Sequence, residues 1–177
     1  MTYDEATRRT YAFLDPVEAG AADIRREALA LEPEAWAVMP GYPKGWTGFV
    51  LDVGKWTADF PGVDFAANRA RCPRTWEIVA SLSGVQLAGF LRLEPGITIA
   101  PHADPREDDV IRCHLGLRLP AAEQAWWPEG RARLMDVRRT HWARNDGAEP
   151  RITMVLDVRM PFVVPSDAWG EWRPGMP

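Results

Sequence analysis

Histidine and cysteine are scarce in this 177-residue chain: His102, His114 and His141 are the only histidines, Cys72 and Cys113 the only cysteines. Two cysteines without C-x-x-C spacing exclude a disulfide scaffold and read as inert thiols in a reducing cytoplasm. An excess of positive charge is missing too. A net charge of -4 and a pI near 5.4 give no basic footprint for nucleic acid. No uninterrupted apolar run approaches the roughly 20 residues of a membrane-spanning helix, and the polar start, Met1 to Arg9, does not read as a signal peptide. The expectation is a protein with no membrane or nucleic-acid partner. What is present, 46% apolar and 26% charged residues over a length suited to one core, is the composition of a globular domain.

Sixteen prolines, fourteen glycines and nine tryptophans favour many short elements joined by rigid turns. Asp15 is placed to cap a helix that begins at Pro16 and carries Val17, Ala21, Ile24, Ala28 and Leu31 at helical spacing. A second helix is predicted from Pro73 through Leu82, stopping before Gly84. Between them the repeated Pro and Gly leave one short strand, Phe49 to Val53, among loops. After Gly84 the period changes to two. Val85 to Leu93, Ile97 to Ile99, Val110 to Leu119, Ala132 to Val137, His141 to Arg144 and Arg151 to Met160 all read as strands. The chain therefore divides into a helical and loop part (1–84), a β core (85–161) and a tail (162–177) of one domain.

Two of the strands carry unusual polar faces. Ile111, Cys113, Leu115, Leu117 and Leu119 alternate with Arg112, His114, Gly116 and Arg118. Ile152, Met154, Leu156, Val158 and Met160 oppose Arg151, Thr153 and Asp157. One face of such a sheet can pack on helices while the other looks into a barrel, as in a jelly roll, which gives Arg and His a reason to stand there. In His102-Ala103-Asp104 the imidazole and carboxylate are two residues apart and project to one side of an extended chain. Joined by His141, they make two nitrogens and one oxygen, a facial set that leaves positions open on Fe(II). The hydrophilic run Asp104 to Asp109 also fits a plain surface turn. Arg151 on the polar face is suited to grip a carboxylate in two-pronged fashion, and Arg112 with His114 offers a second cationic or hydrogen-bonding pair. Structural ion pairs, with Asp157 or Asp136, are the competing assignment for each.

Pro95-Gly96, Pro101-His102, Ile111 through Leu117, Gly130 through Asp136, His141-Trp142, Asn145-Asp146 and Arg151 through Val158 occur in an order that resembles the aspartyl/asparaginyl β-hydroxylase family over residues 70–161. The resemblance implies a mainly β fold with flanking helices, a cupin-like double-stranded β-helix, and an oxygenase using Fe(II), 2-oxoglutarate and O2. It implies iron ligation by His102 and His141, co-substrate carboxylate binding by Arg151, and Arg112 and His114 at or beside the co-substrate. Two positions depart from the animal peptidyl hydroxylases of the family. Asp104 stands where they carry glycine, as in some bacterial members including the proline cis-4-hydroxylase that the spacing also resembles, and completes the triad. Leu91 stands where they carry a serine that helps hold the co-substrate.

The function expected is hydroxylation of an amino-acid side chain, free, in a short peptide or on a carrier, coupled to conversion of 2-oxoglutarate to succinate, in a natural-product pathway. The alternative is a non-catalytic cupin-like module binding a metal and a small anion. A zinc hydrolase would need a general base, for which only the turn residues Glu107 and Asp108 offer themselves. Trp126, Trp127 and Trp142 are placed near the site mouth, whereas Tyr42, Trp46 and Trp56 read first as satellite core and second as pocket walls. The partner is a small molecule or peptide, and oligomeric state is not legible.

Overall fold

In a computed structural model, residues 3–39 and 41–165 are described. Most of the tail predicted for 162–177 lies outside the described residues. The helical elements are α1 (Glu5–Thr10), α2 (Leu14–Ala19), α3 (Ala21–Leu29), α4 (Phe65–Arg71), α5 (Pro73–Ser81) and α6 (Ala121–Gln124). The strands are β1 (Ala37–Val38), β2 (Trp46–Asp52), β3 (Val85–Leu93), β4 (Thr98–His102), β5 (Val110–Arg118), β6 (Ala132–Met135), β7 (His141–Arg144) and β8 (Arg151–Arg159). Six form one antiparallel sheet in the order β1-β2-β3-β8-β5-β6, and β4 pairs with β7 in a second, two-stranded sheet. From β3 onward the chain leaves the large sheet twice, for β4 and for β7, and returns each time. This is a double-stranded β-helix whose smaller sheet has two strands among the described residues.

The single helix expected from Pro16 is two helices broken at Gly20, and its start differs from the expectation. Helix α2 begins at Leu14 after Phe13, with no side-chain cap. Asp15 instead pairs with Arg8 of α1 at 2.6 Å. A Cβ at Gly20 would lie 2.2 Å from Ile78 Cδ1 of α5, so a larger residue there would displace that side-chain end. Helices α1 and α4 fall in stretches read as loop, yet each starts on an aspartate, Asp4 or Asp64, whose side chain accepts from the third residue onward. Helix α5 follows the expectation closely, with Pro73 in its first turn.

Alternation sorts the large sheet into two faces. Phe49, Phe90, Leu115, Leu134, Met154 and Leu156 join Leu14, Val17, Ile24 and Val79 of the helices in one buried cluster. The opposite face looks toward β4 and β7. There lie Val50 of β2, Leu87, Gly89 and Leu91 of β3, Arg151, Thr153, Val155 and Asp157 of β8, Arg112 and His114 of β5, and Arg133 and Met135 of β6. Cross-strand register aligns Leu87, Asp157, Arg112 and Met135 in one row and Gly89, Val155, His114 and Arg133 in the next. The interior is therefore apolar toward β2 and β3, and cationic toward β5 and β6.

Candidate metal centre and the two cavities beside it

His102 ends β4, His141 opens β7, and the two residues are register partners, with ring centroids 4.3 Å apart. Asp104 lies just past the strand, held by its backbone N–H donating to Val137 O at 2.8 Å. One ligand atom from each of the three lies within 4.8 Å of the others. The proton positions suit a metal. His102 Nδ1 lies 2.8 Å from Ala100 O and His141 Nδ1 lies 2.9 Å from Arg139 O. Carbonyl oxygens only accept, so both Nδ1 atoms carry the hydrogen and both Nε2 lone pairs are free to ligate. Burial also lowers the pKa of His141 and favours the neutral ring.

Asp104 is divided between two tasks. Its Oδ1 faces His102 Nε2 at 3.7 Å, while Oδ2 accepts from Arg112 Nη1 at 2.6 Å. Arg112 is itself clamped by Asp157, donating from Nε at 2.6 Å and Nη2 at 2.8 Å. Asp157, fully buried, also accepts from Arg106 Nε at 2.8 Å. Burial alone would raise the Asp157 pKa, but the two guanidinium groups override it and hold the carboxylate below its ordinary range. Burial acts against the charge of Arg112 as well; Asp157 and Asp104 reverse that and raise its pKa. Arg112 makes the ion pair with Asp157 and also lines the cavity beside the histidine pair.

Arg151 differs. Glu123 of α6 holds its Nε at 3.0 Å from each carboxylate oxygen, and no hydrogen bond engages its Nη groups among the described residues. His114 Nδ1 lies 3.3 Å from Thr153 Oγ1, and burial, reinforced by Arg112 and Arg151, pushes its pKa well below the ordinary value. His114 is thus a neutral hydrogen-bonding group. His102, His141, Arg112, His114 and Arg151 line one small cavity of about 60 Å³, together with Arg133, Trp127 and Trp142. Arg133 was not singled out from the sequence. Its alternation with the buried Ala132 and Leu134 was the available signal, and burial lowers its pKa to about 10. Glu123 had no signal, since it reaches Arg151 only through the fold.

A second cavity of about 510 Å³ lies on the Asp104 side, over β2 and β3. Tyr42, Trp46, Trp56 and Phe60 wall it, so the first three are pocket residues and not satellite core. Trp127 and Trp142 line the smaller cavity as expected, whereas Trp126 lines neither and has the Arg133 guanidinium 4.8 Å from its ring. Glu107 pairs with Lys55 and Arg159, and neither Glu107 nor Asp108 lines either cavity, which leaves a hydrolase without its proposed base.

The chain is similar in sequence to several known proteins. "Aspartate beta-hydroxylase domain-containing protein 2" of Mus musculus is 33% identical, over 71% of this chain and 42% of its own length. "Ornithine lipid ester-linked acyl 2-hydroxylase" of Rhizobium tropici is 30% identical, over 59% of this chain and 41% of its own length. The chain thus spans about two fifths of the length of these curated relatives. Among solved structures, HygX from Streptomyces hygroscopicus with nickel and 2-oxoglutarate bound aligns with a TM-score of 0.45 and 14% identity, covering 88% of this chain and 87% of that one. A Pseudomonas putida prolyl-4-hydroxylase aligns with a TM-score of 0.34 and 18% identity, covering 84% and 88%. The model of the family described as aspartyl/asparaginyl beta-hydroxylase matches residues 18–161, and the chain belongs to that family.

Proposed function

We propose that the chain is an Fe(II)- and 2-oxoglutarate-dependent oxygenase that hydroxylates an amino-acid side chain, free, in a short peptide or on a carrier. The observation that carries the proposal is the His102, Asp104 and His141 set with both Nε2 atoms unprotonated. These three residues would hold the iron. When bound, Fe(II) with 2-oxoglutarate supplies oxidative decarboxylation to succinate and CO2, which activates O2 for insertion into a C–H bond. The protein's share is binding, orientation and exclusion of water. Arg151, steadied at Nε by Glu123, presents its remaining nitrogens to the distal carboxylate of 2-oxoglutarate, and neutral His114 and the Arg133 guanidinium lie in the same cavity. Arg112 acts through Asp104, keeping Oδ1 turned to the metal, in place of a direct grip on the co-substrate. Leu91 fills the cavity wall without a hydroxyl, which leaves the carboxylate to Arg151. Both cysteines are free and buried, and the Cys72 thiol is pushed up to about 12 by burial, in keeping with inert thiols and a cytoplasmic setting.

A second substrate reading is an acyl chain. The apolar cavity beside Asp104 favours it, and the Rhizobium relative is named for hydroxylation of one.

Anaerobic addition of Fe(II) and 2-oxoglutarate tests the activity. The expected result is a weak visible charge-transfer band, then succinate formation on admitting air. Absence of both overturns the oxygenase and favours a metal- and anion-binding module.

A further inference from the structure

Resting on the oxygenase reading, the geometry points to the larger cavity as the substrate site, selective for an apolar chain whose adjoining carboxyl group is masked as an amide or ester. Its floor is the apolar part of the barrel interior, including Val50, Leu87 and Val155. Its outer wall contains Trp56 and Tyr42, and the Tyr42 ring also meets His102 edge-on at 5.6 Å. A chain lying along that floor ends against the metal ligands, the position in which one of its C–H bonds would be oxidised.

Charge decides the rest. Two cations line the cavity, Arg106 and Arg112, and both are paired with Asp157, Arg112 with Asp104 as well. The four groups cancel, and the iron's two positive charges would be matched by the two negative charges of 2-oxoglutarate. The remaining lining carboxylate, Asp59, is exposed and makes no ion pair among the described residues. A free carboxylate entering here finds no cation of its own and an anion at the rim, so it would be desolvated without compensation. An amide or ester carries no such penalty. The two cavities therefore divide the labour, with unmasked carboxylates directed to Arg151 and masked ones to the aromatic side.

Calorimetric titration of the Co(II)- and 2-oxoglutarate-loaded protein with four probes tests the assignment: octanamide, octanoate, N-acetyl-leucinamide and N-acetyl-leucine. Each amide should bind at least about tenfold more tightly than its acid. The tighter of the two amides identifies the source, acyl chain or amino-acid residue. Val50→Trp, which fills the floor, and Trp56→Ala, in an exposed loop, should each weaken the amides while leaving the 2-oxoglutarate-dependent change in the Co(II) spectrum intact. Acids that bind as well as their amides, or amide binding untouched by both variants, overturns the inference. A protein that passes these tests yet forms no succinate with Fe(II) in air refutes the oxygenase reading and leaves the cavity assignment standing.

Discussion

Asp157 holds together more of the centre than any ligand does, because two guanidinium groups converge on its buried carboxylate. Asp157→Asn should cost about 3–5 kcal/mol in urea unfolding, since it removes the carboxylate shared by Arg106 and Arg112 and leaves the buried Arg112 charge to Asp104 alone among the described carboxylates. The native pKa lies below the unfolded value, so the carboxylate stabilises the fold above about pH 4, and that contribution fades as pH falls through the lower native pKa. The stability gap between wild type and Asp157→Asn should accordingly narrow on acidification; a gap that widens would contradict the ion-pair account. Arg151 makes a contrasting case. Because Glu123 holds only its Nε, Arg151→Ala should raise the KM for 2-oxoglutarate steeply, about a hundredfold, with little effect on metal affinity. Arg112→Gln should do the reverse, weakening Co(II) binding about tenfold through the loosened Asp104. Equal effects of the two substitutions on both ligands would refute this separation.

At the scale of elements, the strands were legible and the helices less so, for a physical reason. β5 and β8 alternate without interruption, and a period of two assigns each side chain to a face even before its partner strands are known. That is why Arg112, His114 and Arg151 could be placed on one polar face. The short helices α1 and α4 gave no comparable signal: at six and seven residues they hold too few turns to display a stripe, and only their aspartate caps mark them. The division of labour between Arg112 and Arg151 is half legible: Asp157 stands on a polar strand face and offers itself as an ion-pair partner, whereas Glu123 meets Arg151 across 28 residues with no pattern to mark it. Asn145 shows how a connection can position a ligand strand. Fully buried after β7, it donates to Leu93 O and Glu149 O and accepts from Gly147 N, while its own carbonyl receives Gly96 N. It fastens the β3–β4 turn to the β7–β8 connection. Asn145→Ala removes three side-chain hydrogen bonds, the one to Leu93 O fully buried, and should cost about 2–4 kcal/mol in thermal or urea unfolding, with metal affinity reduced because β4 and β7 both lose an anchor. Retention of wild-type stability would show that water replaces the side chain without cost.

The described part of the molecule is asymmetric: a six-stranded sheet backed by helices faces a pair of strands with no helix layer of their own among the described residues. β3 and β8 are each paired on both sides, whereas among the described residues β4 and β7 pair only with one another, and each side of their ladder is an edge. Both histidine ligands belong to this small sheet, and Asp104 is tied through Arg112 to β5 of the large one. A metal bound by all three would therefore act as a clasp between the sheets. Ligand binding to the native state stabilises by about 2.7 kcal/mol at a hundredfold excess over Kd, but this gain need not be spread evenly. Local opening is governed by the weakest pairings, here those of β4 and β7. Hydrogen exchange with and without Mn(II) should thus show slowing concentrated in residues 98–102 and 141–144, with β3, β5 and β8 exchanging only through global unfolding. Asp104→Ala should abolish most of that slowing, since two histidines on one small sheet can bind an ion without joining it to the other. Uniform protection across both sheets, or slowing that survives Asp104→Ala, would show that the metal stabilises the fold as a whole and does not fasten its two halves.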